Sequence, residues 1–299
     1  MTAETEGAIR VAAASQNALG ESPLWHRASG CLLWLDVKAA TLWSFEPQTG
    51  RVEERALALP PPVSALVATI HPGVFAVAHA AGVSLLNPEN GEIRDLYDPE
   101  QGREDVLYND MKVDQLGRLW VGTCDAFYTE TRGVLWCCAP GGAASLADDG
   151  FAVSNGPAFS PDGKILYLSD SATRRILRYT MNGENCHLHA RSVFYTFRDD
   201  EGYPDGLTVD SEGCLWAAHW GGGRVSRIAP NGTRLQSFDM PAPNVTSLCF
   251  GADDFKTLYV TSGRDGLSDE MLKVYPASGS LFSFKPGPTG LPEPLFSPV

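Results

Sequence analysis

Apolar residues along the chain come in short dense runs rather than in helical stripes. CLLWLDV at 31–37, TLWSF at 41–45, RLWVGT at 118–123, ILYLSD at 165–170, CLWAAH at 214–219 and TLYVTS at 257–262 are examples. They are rich in β-branched and aromatic residues and bounded by Gly, Asp and Pro, which predicts strands. No segment holds an apolar period of ~3.6 residues for long enough to predict a substantial helix.

The runs are preceded by turns of one design. ASG ends at Gly30, HPG at Gly73, DQLG at Gly117, SPDG at Gly163 and DSEG at Gly213, and GADDF is centred near Asp254. Glycine supplies the positive φ that a tight hairpin needs, and Asp or Asn braces the turn. Successive spacings are 43, 44, 46, 50 and 41 residues. A strand–turn–strand unit repeating every ~40–50 residues predicts a β-propeller. Six repeats fill the chain, so the expectation is all-β: one six-bladed propeller domain over residues 1–299, with four-stranded blades. A few residues at either end are left as flexible. TLWSFEP, ILRYTMN and RVSRIAP read as third strands. IRVAAAS, near the N-terminus, is a spare strand expected to complete the last blade and remove its open edge.

In a propeller the first strand of each blade lines the central channel, so matching positions form a ring. Counting back eight or nine residues from each turn glycine gives Glu21, Ser64, Asn109, Asn155 and Asp205. In the sixth repeat the same reasoning selects Asn244. Asn and Asp also brace turns, so one such position means little. A ring of six oxygen-bearing side chains with two carboxylates means more, because unpaired carboxylates in a narrow channel are costly without a cation. Oxygen donors of this kind suit Ca²⁺, Mg²⁺ or Mn²⁺, and carboxylates also hold Zn²⁺ or Fe²⁺. The sequence leaves the identity of the metal open.

Composition narrows the partners. The net charge of −13 argues against nucleic acid and anionic membrane surfaces. No apolar run approaches the ~18 residues of a membrane span, and no signal peptide is visible. The seven Cys are an odd number and have no CxxC spacing, which predicts reduced thiols in a cytoplasmic protein. Cys137 and Cys138 should point to opposite faces of a strand. No GxSxG elbow supports a serine nucleophile, and Gly221–Gly223 lack the Lys-Ser/Thr of a phosphate loop. His26, His219 and Arg264 read as structural or surface residues.

The ring positions lie in segments that resemble the senescence marker protein/gluconolactonase/luciferin-regenerating enzyme family. These are LGESPLWH (19–26), YNDMKVDQLGRLWVGT (108–123), SNGPAFSPDGKILYLSDS (154–171), YPDGLTVDSEGCLWAAHWGGGRV (203–225) and NVTSLCFG (244–251). The resemblance runs from about residue 17 to 285, and the ordered set GESPLW, ND-x-K-x-D, SNG and PDG carries it. It implies a six-bladed propeller with one divalent cation held by Glu21, Asn155 and Asp205. Asn109 would bind substrate, and Tyr108 is assigned beside it as a second contact. The implied reaction is hydrolysis of a sugar-derived aldonolactone, with the cation polarising the carbonyl and either Asp205 or cation-bound water as base.

The resemblance breaks at Leu107, where many sugar lactonases carry an Arg that reads substrate hydroxyls. The acidic residue that some members place after the GT motif also lacks a clear counterpart, with Asp125 and Glu130 as candidates. Alternatives are a less polar lactone or ester, and a non-catalytic Ca²⁺-binding propeller. The expected partner is a small-molecule lactone, and the expected assembly a monomer or weak homo-oligomer.

Overall fold

A computed structural model describes residues 7–183 and 185–298. They form six four-stranded antiparallel sheets arranged as a β-propeller, as the turn spacing predicts. Within each blade the chain runs outward from the channel, strand by strand, through the hairpin turns. The innermost strands are Gly20–His26, Val63–Ala68, Val106–Val113, Ser154–Phe159, Tyr203–Val209 and Val245–Gly251. Burial follows the same direction. Val63–Ala68 is buried throughout, whereas the outer strand Arg51–Ala56, with the sequence RVEERA, is exposed throughout. The sixth blade takes its outer strand from the N-terminus: Arg10–Ala13 pairs with Leu281–Phe284, Val11 opposite Phe282. The N-terminal strand thereby completes the four-stranded sheet of the last blade and ties the first repeat to the last.

The turn motif has a tertiary role. In KVDQLGRLW, Asp114 accepts from Arg118 Nε at 2.6 Å and from Trp120 Nε1 at 2.8 Å. In TVDSEGCLW, Asp210 accepts from Trp216 Nε1 at 2.9 Å and from Arg227 Nε at 2.7 Å. Each buried Asp therefore ties its turn to the Trp of the next strand. Trp34, Trp120 and Trp216 are fully buried, in apolar clusters that join neighbouring sheet faces.

One cysteine expectation is corrected. Cys137, on the third strand of blade three (Gly133–Cys138), is disulfide-bonded to Cys186, which precedes the outer strand of blade four (Leu188–Thr196). The partners are 49 residues apart, and only the neighbouring of two blades brings their Cα atoms to 5.7 Å. Cys31, Cys124, Cys138, Cys214 and Cys249 are free thiols. Cys137 and Cys138 pack into different apolar clusters, on opposite faces of their strand.

The C-terminal residues after Phe284 form a strap across the end of the channel where the inner strands finish. Ser211 N donates to Thr289 O, Gly290 N to Phe255 O, Ile70 N to Phe296 O and Ser297 N to Gly117 O. These partners lie in or beside the inner turns of blades five, six, two and three. Phe296 is wholly buried between blades two and three. The other end of the channel, where the inner strands begin, is its mouth. Among the described residues no helix is long and apolar enough to cross a membrane.

Candidate metal centre

Every inner strand breaks register at one level. The shifts fall between Glu21 and Leu24, Val63 and Ala65, Tyr108 and Met111, Asn155 and Ala158, Pro204 and Leu207, and Val245 and Leu248. A bulge of this kind bends the strand and re-aims its side chains. Glu21 and Asn155 are the last paired residues before it, whereas Asn109 and Asp205 are the first residues inside it. The ring read from turn spacing is therefore staggered by one residue. Ser64 falls in the bulge of blade two, and its buried Oγ has no hydrogen-bond partner among the described residues. Asn244 does not belong to the ring. It precedes the last paired residue, its Nδ2 donates to Asp265 O at 2.8 Å, and Thr246 and Ser247 occupy the bulge instead.

Two motif glycines explain how the strands approach so closely. A Cβ on Gly156 of SNG, where φ is +42°, would lie 2.4 Å from Leu207 N. A Cβ on Gly206 of PDG would lie 2.3 Å from Ser247 Oγ. No side chain fits at such separations, so both positions require glycine for packing. Hydroxyls then stitch adjacent blades at this level. Ser169 Oγ donates to Asp205 O at 2.8 Å, Ser171 Oγ to Pro204 O at 2.6 Å, Ser154 Oγ to Thr123 O at 2.9 Å and Thr246 Oγ1 to Gly20 O at 2.5 Å. The backbone around Glu21 and Asp205 is thus held from the neighbouring blade.

Asn155 Nδ2 donates to Ser171 Oγ at 3.0 Å, and Asn155 Oδ1 accepts from Asn109 Nδ2 at 2.6 Å. This fixes which way the amide oxygen of Asn155 faces. Asp205 is 7% exposed. Burial, then the charges of Asp205 and Asp110, hold the Glu21 carboxyl well above the usual range, against one opposing N–H from Ser22 at 3.1 Å. Burial and Asp110 raise Asp205 likewise, with Gly206 N–H opposing. The site therefore contains three mutually repelling carboxylates.

Asp110 is the residue that motif reading passed over. Asn109 and Asp110 share the bulge of blade three, so Tyr108 and Met111 on either side both turn into the core. Asp110 Oδ1 accepts from Met111 N and its Oδ2 from Gly156 N, both at 2.7 Å. Burial raises its pKa, while Lys112 and these two N–H groups oppose the rise. The adjacent polar pair Asn-Asp in an otherwise alternating strand was the available signal.

Tyr108 is corrected as a substrate contact. Its ring is 4% exposed in the core, and its hydroxyl donates to Asp98 at 2.9 Å and accepts from Glu100 N at 3.0 Å. Simple alternation beside Asn109 already points it away from the channel. Asp125 is also committed. It is fully buried and accepts from Thr129 N at 2.9 Å, Glu130 N at 3.2 Å and Arg132 Nη1 at 2.7 Å. It clamps a loop that leaves Phe127 and Tyr128 exposed. Tyr128 lies within electrostatic reach of Asp205 and Asp265. His219 is structural, bonded to Glu201 O at 2.8 Å and Ser226 Oγ at 2.9 Å. His26 pairs with Ser29, and Arg264 with Gln16.

The donor chemistry fits a divalent cation. Among the described residues no three His, Cys, Asp or Glu side chains form a cluster that could hold a metal by themselves. The candidate set is mixed: carboxylates of Glu21 and Asp205 with the amide oxygen of Asn155, and Asp110 close by. Buried carboxylates held above their usual range by burial and by a neighbouring negative charge want a positive charge between them.

Residues 19–264 match the model of the SMP-30/Gluconolactonase/LRE-like region. A 6-deoxy-6-sulfogluconolactonase of Pseudomonas putida is 35% identical over 280 residues, covering 93% of this chain and 95% of that protein. Regucalcin of Xenopus laevis is 33% identical, covering 88% and 89%. The solved structure of a calcium-binding protein, regucalcin, from Agrobacterium tumefaciens superposes with a TM-score of 0.91 at 26% identity, covering 99% of both chains. Fold, glycine-dependent strand spacing, family model and relatives agree: the chain belongs to the SMP-30/gluconolactonase/LRE-like family.

Proposed function

We propose that this protein is a metal-dependent lactonase that opens a sugar-derived aldonolactone to the aldonic acid. One observation carries the reading: burial and the charge of Asp110 hold both Glu21 and Asp205 above the usual carboxylate range, with Asp205 adding to the rise at Glu21, beside the paired amides of Asn109 and Asn155. Glu21, Asn155 and Asp205 would hold the cation. When bound, it would supply a Lewis acid for the ester carbonyl and lower the pKa of a nearby water.

The chain's own residues do the rest. Asp205 accepts a proton of the attacking water at a carboxylate oxygen as the water oxygen bonds to the ester carbon, and returns that proton to the ring oxygen as its bond to the acyl carbon breaks, leaving the open-chain hydroxy acid. Asn109, held by Ser154 O at 2.9 Å as well as by Asn155, orients the lactone. Gly206 and Ser169 keep the Asp205 backbone from shifting. The lactonase name of the Pseudomonas putida relative supports the reaction type, and the regucalcin name of the calcium-binding neighbour supports the cation. Residues 1–299 would act as a single domain, as a monomer or weak homo-oligomer.

A second reading keeps the chemistry and changes the substrate. Leu107 is half-buried opposite Cys124, and Phe127 and Tyr128 stand exposed above the Asp125 clamp. Apolar groups here favour a less polar lactone. The test is a panel of C5 and C6 aldonolactones beside aliphatic lactones, after chelation and with Ca²⁺, Mn²⁺, Mg²⁺, Zn²⁺ or Fe²⁺ restored. Turnover should need a cation and disappear in Asp205→Ala. Full activity of Asp205→Ala would overturn the site, and turnover of aliphatic lactones alone would select the second reading.

A further inference from the structure

The motif ND-x-K-x-D contains a lysine that the proposed chemistry does not use. Lys112 lies two residues after Asp110 on the inner strand of blade three, so it too faces the channel, while Met111 and Val113 enter the core. Its ammonium is paired at 3.0 Å with Glu293, and both side chains are largely buried, 17% and 19% exposed. Glu293 belongs to the C-terminal strap. The pair lines two cavities at once. One also touches Ser22, Asp110 and Ser247, beneath the acids. The other, about 220 Å³, also touches Gln115, Thr208 and Leu291 under the strap. Lys112 and Glu293 therefore stand as a partition between the carboxylate site and the floor of the channel. The groups facing Lys112 are Asp110, Glu293 and the Cys249 thiol of blade six.

We propose that Lys112 and Glu293 form a balanced charge pair that sets the cation affinity of the channel from below, with the C-terminal strap supplying the balancing charge. This rests on the reading of the mouth as a cation site. Lys112 is then a positioning residue: it compensates Asp110 and touches neither cation nor substrate. Glu293 in turn neutralises Lys112, so that no net positive charge faces the incoming ion. Without the strap's carboxylate, Lys112 would repel a divalent cation through a low-dielectric channel. Without Lys112, the carboxylate site would carry one more uncompensated negative charge.

The prediction is a pair of opposite shifts, which a purely structural role would not produce. Calorimetric titration with Ca²⁺ and Mn²⁺ is done on the wild type, Glu293→Gln, Lys112→Met and the double variant, with the melting temperature of each cation-free protein measured in parallel. Glu293→Gln should weaken binding and Lys112→Met should tighten it, each by about tenfold, as expected for one unit charge on the order of 10 Å from a divalent ion in a medium between protein and water. The double variant should return near the wild-type Kd. Shifts of the same sign, or none in a folded Glu293→Gln, would overturn the proposal while leaving the cation site intact. A wild type that binds no divalent cation would overturn both. If Lys112→Met does not fold, Glu293→Gln and the double variant still decide the outcome.

Discussion

Replacing Asp210 by Ala tests whether the repeated turn motif is a structural hub. Asp210 is fully buried and follows the strand that carries Asp205. One oxygen accepts from the backbone N–H groups of Glu212 and Cys214, both at 3.0 Å, and the other from Trp216 Nε1 at 2.9 Å and Arg227 Nε at 2.7 Å. Alanine leaves four donors without that partner. Arg227 keeps Glu212 at 2.6 Å, so its charge is not wholly abandoned. The Trp216 indole is buried and loses its acceptor. An orphaned buried donor costs about 1–3 kcal/mol, and truncating one side of a buried ion pair costs about 3–5 kcal/mol. The two estimates describe overlapping losses, so the expected total is about 4 kcal/mol. With an unfolding entropy near 2.1 cal/mol/K per residue over a chain of this length, the melting temperature should fall by roughly 6 °C. Urea unfolding followed by tryptophan fluorescence, with calorimetry beside it, measures both quantities. Asp210→Asn preserves volume and one acceptor oxygen and should lose less than Ala. A loss below about 1 kcal/mol for Asp210→Ala, at unchanged denaturant slope, would refute the hydrogen-bond reasoning.

Two further outcomes are expected. The Cys137–Cys186 bond closes a 49-residue span, so Cys186→Ser should lower stability by about 4 kcal/mol on the chain-entropy model. Thiol titration of the denatured chain should find five free Cys before reduction, and a count of seven would refute the bond. His219 has its pKa pushed down to about 4, mainly by burial. The unfolded chain, with an ordinary His pKa near 6.5, therefore takes up the proton first. Stability should be complete above about pH 6.5 and fall by roughly 3 kcal/mol on acidification to pH 4. His219→Gln should flatten that part of the profile, and an unchanged slope would exclude His219 as its source.

The period of the turns, the strand runs and the spare N-terminal strand already specified a closed six-bladed propeller. Those features are legible because turn chemistry and strand patterning act over a few residues and then repeat. The turn spacing also placed Glu21, Asn155, Asp205 and Asn109 near the bulges of their inner strands, to within the one-residue stagger that the bulges impose. Tertiary structure decided everything that depends on one blade meeting another. The bulges, whose effect on facing cannot be counted from a regular strand, brought Asp110 into the channel and left Asn244 outside the ring. Loop closure turned Asp125 from a candidate substrate contact into a clamp, and blade adjacency joined Cys137 to Cys186. Lys112 looked like an ordinary motif lysine until the returning C-terminus set Glu293 against it. Sequence patterns record the local geometry of each strand, but charge balance in the channel depends on contacts between residues that the chain itself keeps far apart.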